Sequence, residues 1–359
     1  MPLDFDGDLQ FFAGANDPAV MRLIYSMGMA INVRERQPRQ SLSALKQTAE
    51  RANALGEYCI ALVAEAFMVE IHMNYLNATN TALDTAVRLS VRASEDRFDD
   101  CPRARAMAYN YLAFVYAYVD PVGYADDIRG SLGFMLEHGN PTDIARQEIY
   151  ARLSMMEAMC ERYDEAETLA LQSLELAEDD IGSLCRSYTA LTGTYARQHQ
   201  HHQALEYAQL GRELLQSQNH QLGIFLAQFM GYEAAMLAHL GETHEANIAF
   251  NNLRAHIIRL AIPPPYTVPG FMGDYFIGLG DYNKALGCYK DMLAQVIASG
   301  SPYAEAEARM LVCFATSRLG GDMTEAASAA RAVFERLRAP DQLAVKLEQI
   351  ERGELERYP

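Results

Sequence analysis

The chain has 359 residues, half of them apolar, and a formal net charge of −17. That length exceeds the roughly 250–300 residues at which a single globular core stops growing, so the chain is either two domains or an elongated array. The acidic balance disfavours a phosphate backbone as main partner, and nucleic acid is an unlikely ligand on that ground.

Taken in chain order, residues 1–17 read as a flexible N-terminal arm. Asp4-Phe5-Asp6-Gly7-Asp8-Leu9-Gln10-Phe11-Phe12 is acidic and aromatic and lies ahead of any helical pattern. It carries no basic region followed by an apolar stretch, so it does not read as a signal peptide. The most apolar segment, Cys59 to Leu76, includes Glu65, Glu70, His72 and Asn74. A helix buried on two sides explains it better than a membrane span. The six cysteines (Cys59, Cys101, Cys160, Cys185, Cys288 and Cys313) are scattered without a Cys-x-x-Cys, and most read as small buried residues of a reducing compartment. A cytoplasmic protein is expected.

Breaks punctuate the rest of the chain. Asp17-Pro18, Cys101-Pro102, Gly139-Asn140-Pro141, the Pro263-Pro264-Pro265 run and Ser299-Gly300-Ser301-Pro302 each precede a new helix, with proline at or near its first turn. A second set falls midway between them: Asp120-Pro121, Glu161-Arg162-Tyr163, Gly241-Glu242, Gly280-Asp281 and Gly321-Asp322. Where glycine is present it ends one helix, and Asp or Pro can open the next. A small residue follows each of these turns and recurs in the other units, giving Ala44, Ala82, Ala125, Ala166, Ala204, Ala246, Ala285 and Ala326. The spacing is near 40 residues throughout, which is a repeat signature, and a small side chain is what two closely crossing helices require. The array is expected to span 18–338. Residues 339–359 then form a capping helix and tail, with Leu343, Val345, Leu347 and Ile350 on the apolar face.

This pattern resembles the tetratricopeptide repeat (TPR) family, in its long-repeat bacterial form. The resemblance rests on Leu191, Tyr195, Ala204 and Leu205, on Leu240, Gly241, Ala246 and Phe250, and on Gly273, Gly280, Tyr282, Ala285 and Tyr289. The family's usual tryptophan is absent, and the period exceeds the roughly 34 residues of the standard repeat. The resemblance implies an all-α fold: a right-handed α-solenoid superhelix of about eight antiparallel helix pairs plus a C-terminal capping helix.

No phosphate-binding glycine loop or nucleophile elbow is found, and His244-Glu245 lacks a second histidine four residues after the first, where Ile248 stands. His199-Gln200-His201-His202 reads as a polar turn, and no metal or other cofactor is expected. Asp126-Asp127 and Asp179-Asp180 read as helix-start or solvent residues. Function is therefore sought on a surface and not in catalysis. In the family the first helix of each pair lines the inner wall. Counting back from the alanines places Phe67, Asn74, Tyr75, Asn110, Phe114 and Tyr118 there in the second and third units. Arg186, Thr189, Arg197, Tyr232, His239 and Asp274 follow in the fifth to seventh. Asparagine amides can pair with a peptide backbone, and tyrosine gives contact area at low entropic cost. The Lys/Arg and Asn set of the family's carboxylate clamp is not repeated. The expected function is a non-enzymatic scaffold in a bacterial cytoplasm, an adaptor or a regulatory or assembly subunit that binds protein or peptide. Two alternatives stand beside it: a sensor of a small ligand or signalling peptide, and a structural subunit that self-associates.

Overall fold

The computed structural model describes residues 17–34, 36–76, 78–139, 142–217, 223–259 and 266–355. Seventeen α-helices and one 3-10 turn, Asp96–Phe98, make up the regular structure among the described residues. The chain divides into two compact units, Met1–Arg146 and Gln147–Pro359, at a point where no change of composition marks the sequence. The first holds α1 Pro18–Asn32, α2 Pro38–Ala54, α3 Tyr58–Asn74, α4 Thr79–Ala93, α5 Pro102–Val119 and α6 Ala125–His138. Helix α7, Asp143–Met159, carries the division near its start. The second unit continues with α8 Tyr163–Leu176, α9 Ile181–Arg197, α10 His201–Ser217, α11 Gly223–His239, α12 Thr243–Arg259 and α13 Thr267–Gly278. It ends with α14 Tyr282–Ser299, α15 Pro302–Arg318, α16 Thr324–Phe334 and α17 Asp341–Glu351. Each unit is an all-α solenoid segment in which consecutive helices pack side by side.

The local chemistry explains where these helices begin and end. Asp17, Asp180, Asp281 and Ser301 each accept a hydrogen bond from a backbone N–H of the first turn, and proline occupies the first turn of α1, α2, α5 and α15. Asp17 thus belongs to α1 and not to the arm. The second unit's odd-numbered helices α7, α9, α11, α13 and α15 are each followed by a left-handed residue: Glu161, His199, Gly241, Gly280 and Gly320. Glycine takes that conformation freely, whereas Glu161 and His199 do so at a cost. The last of these turns hinges on Gly320, one residue ahead of the expected Gly321. Residues 1–16, Asn140, Pro141 and the Pro263–Pro265 run lie outside the described residues.

The alanine ladder is buried where it was sought, apart from its two ends. Ala82, Ala166, Ala204, Ala246 and Ala285 are fully buried and Ala125 nearly so. Ala44 and Ala326 are only half-buried. Ser41 takes the place of the former, and Ala327 that of the latter. Both stand three residues after their helix start, as Ala82, Ala166, Ala204, Ala246 and Ala285 do, whereas Ala125 is itself the first residue of α6. Ser41 is accommodated by donating its hydroxyl to the Ala30 carbonyl at 2.7 Å. Ser41→Ala should therefore cost the first unit about 1 kcal/mol in urea unfolding, while Ala44→Ser should leave the midpoint unchanged.

Helix α3 is buried on more than one face, with Ile60, Leu62, Phe67, Val69 and Ile71 all covered. No helix among the described residues is long and apolar enough to cross a membrane. Glu70 sits inside this packing and is held by Arg34 (Nε to Oε1, 3.2 Å) and by the Tyr111 hydroxyl (3.2 Å). Burial raises the Glu70 carboxyl above its ordinary range, and Arg34 offsets part of that. Cys59 and Cys101 depart from the expectation of buried thiols: they form a disulfide between the start of α3 and the residue that precedes α5. Their 42-residue separation hid a proximity that α3–α5 packing creates. Cys185, Cys288 and Cys313 are thiols. In α17, Leu343, Leu347 and Ile350 are buried, whereas Val345 is exposed and not part of the apolar face.

Candidate functional site

Helices α9, α11, α13 and α15 of the second unit bring their inward faces together, with α14 behind them, around a recess of about 220 Å³. Four of the residues placed on the inner wall by sequence line it: Arg197 from the end of α9, Tyr232 and His239 from α11, and Asp274 from α13. Glycines set the distances between these helices. A Cβ on Gly278 would lie 2.8 Å from the backbone of Ala238 and His239, and one on Gly231 would lie 2.6 Å from the Phe271 ring. Only glycine permits α11 and α13 to come this close.

Charge in the recess is organised in two places. Arg197 donates through Nη2 to Glu307 Oε1 at 3.0 Å, joining helices 110 residues apart in sequence. Burial works against the Arg197 charge, but Glu307 and Tyr303 outweigh it and hold the guanidinium above its ordinary pKa. Asp274 accepts a hydrogen bond from the Tyr289 hydroxyl at 2.7 Å. Burial pushes its carboxyl up to about 6, even though Tyr289 and Arg197 both pull it down. Burial likewise pushes the Tyr232 phenol up to about 12.

Aromatic surface makes up much of the wall. The Tyr232 and Phe271 rings lie 4.4 Å apart, and Tyr289 and Phe314 also face the recess. The His201 and His239 rings stack at 4.9 Å and 10°, with His199 edge-on to His201 at 5.9 Å. Parallel rings send their nitrogen lone pairs out in parallel planes, not toward a common point. No group of three or more His, Cys, Asp or Glu among the described residues is placed to hold a metal. His202 is exposed and does not line the recess.

The other wall residues fall elsewhere. Arg186 donates to Gln147 Oε1 and Ser183 Oγ and thereby supports a buried polar knot. In that knot Gln147 Nε2 reaches Ser173, Ser183 and Ser187. Thr189 turns back onto the Cys185 carbonyl. Phe67 and Asn110 are buried, so they serve packing and not an accessible wall, and Phe67 lies against the Tyr111 ring. Phe114, Tyr75 and Tyr118 are half-buried, and Asn74 is exposed at the end of α3.

Sequence reasoning missed Phe271, Met292 and Glu307 as recess residues. A signal was present for two of them. Phe271 stands as far ahead of Gly280 as Tyr232 does ahead of Gly241. Glu307 stands as far ahead of Gly320 as Thr267, which also lines the recess, does ahead of Gly280. Counting from the left-handed residue, and carrying the count into α15, reaches both.

Solved structures share this architecture. A tetratricopeptide repeat protein from Parabacteroides merdae superposes with a TM-score of 0.53 at 10% identity, covering 81% of this chain and 98% of that one. The fold is a tetratricopeptide-type α-solenoid. A Rap protein solved in complex with Competence and Sporulation Factor matches the solenoid with a TM-score of 0.50 at 15% identity, over 81% of this chain and 78% of the other. The apo form of RapI matches at 0.52 and 13% identity, over 93% and 94%. No protein-family model matches the solenoid, and no curated protein matches it in sequence.

Proposed function

We propose that this TPR-type solenoid is a non-enzymatic regulatory scaffold that receives a peptide segment of a partner in the recess of its second unit. The observation that carries this reading is the convergence of Arg197, Tyr232, His239 and Asp274, from three successive inner helices, on one partly water-accessible cavity. Such a cavity, mainly aromatic and apolar with a few fixed polar groups, is the usual form of a binding site. At about 220 Å³ it falls below the roughly 300–1,000 Å³ of pockets for drug-sized ligands, so it suits one side chain or terminal group of a longer segment. The Rap protein bound to Competence and Sporulation Factor lends the reading support by analogy of fold.

A peptide library selected on the intact chain tests the proposal. Tyr232→Ala removes the ring that faces Phe271 and should weaken the selected peptide at least tenfold, about 1.4 kcal/mol. Tyr25→Ala, an exposed tyrosine of the first unit, should leave the affinity unchanged. Equal binding by wild type and Tyr232→Ala would remove the recess from consideration.

A further inference from the structure

Resting on the reading of this recess as a binding site, we infer that the group it takes is an organic cation, an amine or a guanidinium, seated on the Asp274 carboxylate between aromatic faces. Among the lining residues Arg197 is the only arginine or lysine, and Glu307 already holds it at 3.0 Å. An anion entering would have to displace Glu307 and would then face Asp274. A cation meets the opposite situation. Asp274 offers a carboxylate that accepts a hydrogen bond from the Tyr289 hydroxyl, a neutral group, while Arg197 acts on it only through space. The rings of Tyr232, Phe271, Tyr289 and Phe314 line the same recess, and an aromatic face attracts a desolvated cation. The raised carboxyl of Asp274 follows from the same surroundings, since buried charge without a full counterion is disfavoured. The net charge of −17 steers cations toward the chain as a whole.

The cation could be carried by a basic side chain of a peptide or by a free amine, and probes can separate these sources. Met236 and Met292 line the recess, so their methyl groups report on its occupant. The full chain labelled with methyl-carbon-13 methionine would be titrated at neutral pH with argininamide and benzylamine. The uncharged counterparts Nα-acetylcitrullinamide and benzyl alcohol, and the anion benzoate, would follow. The two cations should shift both methyls at concentrations at least tenfold lower than the other three probes. Asp274→Asn should erase that preference, while the dispersed methionine spectrum shows that the fold is kept. Tyr25→Ala, an exposed residue of the first unit, should retain it. Tighter binding of a capped Gly-Arg-Gly peptide than of argininamide would assign the cation to a peptide, and equal binding to a free amine.

The inference is overturned if the neutral probes or benzoate match the cations, or if no cation moves the methyls. In the first case, loss of all binding in Tyr232→Ala would keep the recess as a site and reject only the sign of its ligand. In the second, a selected peptide that binds Tyr232→Ala as well as wild type would reject the site itself.

Discussion

Gly278→Ala should destabilise the second unit by about 3 kcal/mol and abolish ligand binding in the recess. Gly278 closes α13 against the end of α11, where an added Cβ would lie 2.8 Å from the Ala238 carbonyl carbon, the Ala238 Cβ and the His239 nitrogen. Two of those three atoms are backbone, so no side-chain rotation can relieve the clash. The helices must separate, and Tyr232 and His239 on α11 would move away from Phe271 and Asp274 on α13. Hydrogen exchange should show faster opening of both helices, with α3 and α5 of the first unit unaffected. Exchange rates unchanged in α11 and α13 would mean that the close approach does not hold the recess together.

Asp274→Asn should act in the other direction, and only at higher pH. In the folded chain burial pushes the Asp274 carboxyl up to about 6, against about 3.9 in an unfolded one. Below the unfolded value the group is neutral in both states and costs nothing. As pH rises between the two values, the unfolded chain ionises while the folded chain keeps its proton, so stability falls. The loss is complete above the folded value. Asparagine never ionises, and its amide oxygen can still accept from Tyr289. The variant should match wild type near about pH 4 and exceed it by about 2 kcal/mol near about pH 8. The charged and titratable groups around this site are Arg197, Glu307, His199, His201, His239, Tyr232 and Tyr289. The urea midpoint at the two pH values measures the effect, and an equal gain at both would rule out ionisation as its cause. A binding site often carries such a cost when empty, because the group that holds the ligand is left partly unsatisfied.

Much of the fold was legible because its determinants are local. Glycine turns, prolines at first turns and one small residue per unit repeat with a fixed period, and each acts within a few residues of itself. The ladder failed at its ends because terminal units have a neighbour on one side only. There a serine that finds a carbonyl serves as well as an alanine, which is how Ser41 escaped notice. The recess was legible in part: Arg197, Tyr232, His239 and Asp274, reached by counting along the helices, all line it. Phe67 and Asn110 were reached by the same count, yet α3 and α5 pack together so closely that their facing residues are covered. Periodicity gives a direction and not a depth. The Arg197–Glu307 pair and the Cys59–Cys101 bond were out of reach, because each depends on how successive helices stack and not on any local pattern.

The left-handed turn after α7 has a further consequence. Glu161, in a position where glycine would be at ease, pairs with Lys346 of α17 at 2.7 Å. A linear repeat array frays from its termini, because its last element touches only the element before it. In this unit the last helix is also tied to the first turn, and Arg197–Glu307 forms a second tie across the interior. Melting that starts at the C-terminus must release both ends of the unit, so the second unit should unzip as a closed loop rather than peel as an open strip.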